Sequence, residues 1–236
     1  MITSVFKKST PLNYSLVVIL ILVFFFTFQI KDPSWVTSYF LAFQKVSLLC
    51  FILASFFMIN FIVKKNGLSK DNGYAIFFYL LFLLFFPTIF NNSNVIYGNF
   101  FILLALRRLI SLQSLKASKE KIFDASFWIF LSAIFHFWSI LYIILVFISI
   151  IFHSGKEYKN WILPFVSFLC VWILYIATSL FLFGNYSINT AVFQVSFNFF
   201  DFKDVYQNMA LSLFVSISVL FFASQTIDYQ NKPLNM

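Results

Sequence analysis

The chain is a succession of long apolar runs cut by short basic or turn-forming segments. Ser9 to Ile30 carries no charged residue, and Tyr39 to Val63 carries only Lys45, near its start. Each run is long enough to cross a hydrocarbon core of about 30 Å as a helix, which takes about 20 residues. Asn72 to Leu106 is also uncharged but too long for one crossing. Pro87 and the run Asn91-Asn92-Ser93-Asn94 mark its turn, so the pattern predicts a helical hairpin closed by Arg107-Arg108. Trp161 to Phe183, with Pro164 expected in its first turn, and Met209 to Ile227 supply the remaining spans. No soluble domain and no internal repeat interrupts the series.

Ala125 to Gly155 is the ambiguous stretch. It has no charged residue and is far longer than a bilayer core if drawn as one helix at about 1.5 Å per residue. It is read either as one strongly tilted helix or as two short helices meeting near His136-Phe137-Trp138-Ser139, and no Gly or Pro there decides between them. The basic residues favour the second. With two helices, Lys7, Lys8, Lys64, Lys65, Lys70, Arg107, Arg108, Lys116, Lys119, Lys121, Lys156, Lys159 and Lys232 share one side, leaving Lys31 and Lys203 opposite, as the positive-inside bias requires. The first run is followed by Lys31-Asp32-Pro33-Ser34 and not by a small-residue cleavage site, so it reads as an uncleaved helix. The expected fold is all-α and polytopic, with about six full spans plus a pair of short helices, both termini cytoplasmic, and residues 1–236 forming one transmembrane domain. Residues 184–208, with Asp201, Lys203 and Asp204, form the longest loop; it is expected outside, with Phe193, Phe197 and Phe200 on an interfacial helix. The last span ends only a few residues before Met236, which reads either as a natural end or as a truncated product.

Composition agrees. Of 236 residues 61% are hydrophobic and 10% charged, against about 25% charged in soluble domains, so lipid has to cover part of the surface. Continuous apolar runs and few Gly and Pro exclude a β-barrel, whose strands alternate. The 38 Phe read as lipid-facing filler. The formal charge of +8 is dispersed between apolar runs, so it argues for topology and anionic headgroups and against nucleic acid. Cys50 and Cys170 lie inside apolar runs; no disulfide framework, metal spacing or cofactor motif is present, and none is expected.

Polar residues in or beside the membrane are the remaining candidates for chemistry, because they are costly there. Arg107 and Arg108 read either as a bidentate phosphate clamp or as snorkelling anchors; Lys116, Lys119 and Lys121 extend the patch toward anionic headgroups under either reading. Asp32 reads as a general base at the outer surface or as a turn residue before Pro33. His136 beside Trp138 reads as a proton-transfer group or a partner for a sugar hydroxyl next to a stacking indole, or as an imidazole satisfied within the bundle. Asp124 is expected to cap a helix starting near Ala125, His153 is given no role, and Asp201 with Asp204 is a weak cation pair lacking a third ligand.

Two segments carry a resemblance: Asn99-Phe100-Phe101-Ile102-Leu103-Leu104-Ala105-Leu106-Arg107-Arg108, and Lys121-Ile122-Phe123-Asp124-Ala125-Ser126-Phe127-Trp128 leading to Phe137-Trp138-Ser139-Ile140-Leu141. They resemble a family of polytopic inner-membrane proteins of Bacteroidota catalogued as a domain of unknown function, whose members extend further at the C-terminus. More distantly, the order of parts looks like the C superfamily of membrane glycosyltransferases, where an acidic residue in the first outer loop, here Asp32, is the base; the outer loop here is short and no large external domain follows. The resemblances imply an inner-membrane, cell-envelope protein working on or beside a lipid-linked glycan. The rival expectation is a non-catalytic subunit packing against a partner protein in a membrane complex.

Overall fold

The structure is a computed structural model describing residues 6–30, 35, 38–69, 72–155, 157–184 and 205–230. Among these, helix is the only regular structure: α1 (Pro11–Gln29), α2 (Tyr39–Lys65), α3 (Tyr74–Phe85), α4 (Ser93–Ser111), α5 (Ser118–Phe135), α6 (Ile143–His153), α7 (Tyr158–Phe183) and α8 (Val205–Gln230), with 3₁₀ turns at Pro87–Asn91, Leu112–Ser114 and Phe137–Tyr142. Among the described residues four helices, α1, α2, α4 with its 3₁₀ extension, and α7, are long and apolar enough to cross a membrane, and Tyr74–Phe85, Phe137–His153 and Asn208–Ser224 are shorter apolar helices. The chain divides into two units, residues 1–194 and 195–236, and α8 is the helix of the second. It starts at Val205, inside the segment expected as outer loop; Asp201, Lys203, Asp204 and the rest of residues 185–204 lie outside the described residues.

The first unit keeps an apolar core but, unlike a soluble protein, also carries large apolar side chains over its outer surface and small polar ones at helix contacts. Ser55, Ser126, Ser132 and Ser167 are fully buried while Phe57, Phe78 and Phe165 are exposed. Small polar residues at helix contacts and large apolar ones outside are what a lipid solvent selects, since helices in lipid associate by close packing and hydrogen bonds and not by hiding apolar surface. Ser55 and Ser126 satisfy their hydroxyls on the carbonyls one turn back, Phe51 and Ile122. An all-helical chain with these faces is a helical membrane protein.

Contacts between helices fix which ends coincide. Tyr14 near the start of α1 donates to Asn60 near the end of α2 at 3.1 Å, and the Gly73 amide donates to Phe6 O at 2.8 Å where α3 begins. Arg107 of α4 sits 4.9 Å over the Phe61 ring of α2. At the opposite end Gln29 of α1 donates to Phe90 O, Lys45 of α2 to Asn91, and Ser47 bonds Tyr97 of α4 at 2.6 Å. Thus α1 and α3 run one way and α2 and α4 the other, around a core of Val17, Ile21, Leu48, Ile52, Phe56 and Leu80. The expected reversal between α3 and α4 is present, but α3 packs on α1 and α2, and α4 on α2 and α5. A second core joins α4, α5 and α6 through Ile102, Ala105, Leu109, Ile122, Ile129, Val146 and Ile150.

Ala125 to Gly155 is not one helix. α5 ends at Phe135, His136 takes an extended conformation with φ −139° and ψ 103°, and the chain turns through the 3₁₀ segment into α6. α6 returns to the end from which α5 started, because Glu157 just beyond it pairs with Lys119 at 3.0 Å. This is the two-short-helix arrangement. Its consequence is that every described Lys and Arg except Lys45 lies at one end of the bundle, and the His136 break lies at the other.

Two local expectations are corrected. α5 starts at Ser118, a turn and a half before Asp124, so Asp124 is no cap; it pairs with Arg108 at 2.8 Å. α7 starts at Tyr158, which places Pro164 inside the helix and not in its first turn.

Candidate functional site

The site at the end opposite the basic residues is built where α5 breaks against α4. Val95, Asn99 and Ile102 fall one helical turn apart on α4 and form one wall. His136, Trp138, Ser139 and Tyr142 come from the break and its 3₁₀ turn and form the other, and the cavity between them measures about 310 Å³. That volume is at the lower edge of the roughly 300–1,000 Å³ usual for ligand sites. A 3₁₀ turn has three residues per turn, so its side chains at i and i+3 eclipse; Ser139 and Tyr142 therefore present to the same side. The backbone of the break is satisfied locally: the His136 amide donates to Ser132 O and the Ser139 amide to His136 O, both at 2.9 Å. The imidazole is thus offered to the cavity on a closed backbone.

The lining combines neutral hydrogen-bonding groups, Asn99, Ser139 and Tyr142, with one titratable imidazole and one indole. None of the lining side chains is a carboxylate, Lys or Arg. Such a set donates to and accepts from hydroxyl groups, stacks an apolar ring face on Trp138, and moves a proton through His136. It does not offer the cationic fork that holds a phosphate. Sequence reasoning singled out His136 and Trp138 but missed Asn99, Ser139 and Tyr142. The signal present for them was polarity: each is a hydrogen-bonding side chain inside a stretch with no charge.

The basic candidates are distributed differently. Arg107 and Arg108, adjacent on α4, diverge by about 100° around the helix and do not face each other. Arg108 is held by Asp124, and Arg107 lies over Phe61 beside Lys65, whose ammonium is 5.2 Å from the same ring. Lys121 donates to Ser111 O and Ser114 Oγ, each at 2.7 Å. There it caps the C-terminal carbonyls of α4, where a cation also suits the helix dipole. Lys119 is paired with Glu157, and Lys116 is exposed. The patch therefore lies at one level of the bundle, with Arg108, Lys119 and Lys121 engaged within the chain. His153, at the end of α6, bonds Ser149 O at 3.1 Å.

Asp32, the expected outer-surface base, lies outside the described residues. Among the described residues no group of three or more His, Cys, Asp or Glu is placed to hold a metal ion. No protein-family model, curated protein or solved structure matches the chain.

Proposed function

We propose that the protein is a multi-pass protein of a bacterial inner membrane, with its basic end in the cytoplasm, that acts on the sugar portion of a lipid-linked glycan at the His136 cavity in the outer half of the bilayer. One observation carries the reading: a pocket of neutral hydrogen-bonding side chains, an indole and an imidazole at the membrane end opposite the basic belt. Positive-inside bias puts that belt in the cytoplasm, so the cavity opens toward the outer leaflet, where a lipid anchor holds its glycan at headgroup depth. Trp138 stacks a sugar ring, while Asn99, Ser139 and Tyr142 select its hydroxyls. His136 accepts a proton from an acceptor hydroxyl as that oxygen bonds to the anomeric carbon of the lipid-linked sugar. The bond from that carbon to the lipid phosphate breaks, and the lipid phosphate leaves with the electron pair. This is general-base work of the kind a glycosyltransferase or glycan polymerase needs. Arg107, Lys116 and the neighbouring cations meet anionic headgroups at the cytoplasmic face.

The experiment is a comparison of lipid-linked glycan pools extracted from membranes of a deletion strain and of the same strain carrying the wild-type gene. The reading expects accumulation of the lipid-linked species on deletion and its return to the parental level on complementation. An unchanged pool, in a strain whose mutant phenotype is otherwise restored by the gene, would contradict the reading and favour a packing subunit.

A further inference from the structure

Nothing in the local sequence explains why α5 stops at Phe135. The segment around His136 contains neither Gly nor Pro, and its residues are apolar enough to continue the helix. At the level of the break α5 meets α4 closely. Ser132, fully buried in the last turn of α5, donates its hydroxyl to Gly98 O across the helix pair at 2.8 Å. A Cβ placed on Gly98 would stand 3.3 Å from His136 Cβ and 3.3 Å from Ser132 Oγ, closer than the roughly 3.5–4.0 Å of ordinary carbon contacts. The absence of a side chain at residue 98 lets the two backbones approach at this crossing, and a Cβ there would need its neighbours to give by a few tenths of an ångström. The next residue, Asn99, is in the wall facing His136. The crossing thus sets the spacing of the two walls of the cavity.

We infer that Gly98 and Ser132 are the positioning residues of the site: together they fix the distance between α4 and the break, and so the place of the His136 imidazole. The inference rests on the proposed function only for its consequence in activity; its geometric content stands alone. A side chain at residue 98 pushes the end of α5 outward, and the imidazole moves with it. Loss of the Ser132 hydroxyl adds no atom but releases the same crossing.

The chain contains two histidines, which supplies an internal control. Purified full-length wild type, Gly98→Ala and Ser132→Ala in detergent are treated with diethyl pyrocarbonate, and modification of His136 and His153 is followed separately by peptide mass spectrometry. Gly98→Ala is expected to raise the rate at His136 severalfold and leave His153, at the far end of α6, unchanged; Ser132→Ala shifts His136 in the same direction by less. The glycan-pool assay should then show a severalfold loss for Gly98→Ala, below the roughly 10²-fold of a misplacement of about 1 Å at a reacting group, because a 3.3 Å contact is relieved by a few tenths of an ångström. Unchanged His136 reactivity in both variants, or equal acceleration of both histidines, would overturn the positioning role. A selective shift at His136 with a normal glycan pool would uphold the positioning role and overturn the functional reading instead.

Discussion

Replacing His136 with Gln is expected to reduce function by roughly 10²-fold or more, the lower end of general-base contributions, while the protein accumulates in the membrane at its normal level. Gln retains hydrogen bonding and similar bulk but cannot take up a proton at neutral pH, so the substitution separates chemistry from packing. The backbone of the break is satisfied by the amides of His136 and Ser139, neither of which depends on the imidazole. Normal accumulation is therefore expected. The check is quantitative complementation normalised to protein in the membrane, with Ser139→Ala in parallel. Ser139 contributes one hydrogen bond in the proposed scheme and should lose far less. Wild-type function for His136→Gln would remove the imidazole from the mechanism and leave the cavity as a binding feature.

The second large effect concerns packing. Phe56 is fully buried between α1, α2 and α3, with ring contacts to Tyr14 and Tyr79, whereas its neighbour Phe57 is 54% exposed. Phe56→Ala is expected to destabilise the folded protein by about 3 kcal/mol, the lower part of the range for Phe→Ala in a core, because the lost dispersion contacts are not replaced by lipid inside the bundle. Phe57→Ala should cost clearly less than Phe56→Ala, since about half of that ring meets lipid before and after unfolding and only its packing on Phe56, 5.1 Å between centroids, is lost. Unfolding titrations with SDS in mixed micelles measure both. Equal losses for the two variants would mean that the face of α2 assigned to lipid is packed against protein.

The architecture was legible because lipid leaves a chain few choices. With no water to bond the backbone, apolar runs become helices, and α1, α2 and α7 begin and end within a few residues of the runs Ser9–Ile30, Tyr39–Val63 and Trp161–Phe183. The break at His136 was legible only through charge, because one uninterrupted helix would have sent Lys156 and Lys159 to the side opposite Lys119. Charge also misled. Lys119, Glu120, Lys121 and Asp124 conceal the first turns of α5, which are helical although too polar for the bilayer core, and this is why Asp124 reads in the sequence as a cap. Adjacency misled at Arg107 and Arg108, where residues consecutive in sequence point in different directions on a helix. The tightness of the site was not legible at all. Gly98 reads as an unremarked glycine in an apolar helix, and only the arrival of Ser132 from 34 residues downstream gives its missing side chain a purpose.

In the proposed function the sugar portion of a lipid-linked glycan enters the cavity beside His136. Site-specific photo-crosslinking tests it most directly. A photoreactive amino acid is placed at Trp138, in the cavity wall, or at Trp172, 40% exposed on the outer face of α7, in cells whose glycans carry a radiolabelled sugar. After irradiation, a radiolabelled protein adduct that withstands lipid extraction is expected at Trp138, and only phospholipid adducts at Trp172. Phospholipid adducts without sugar label at both positions would contradict it.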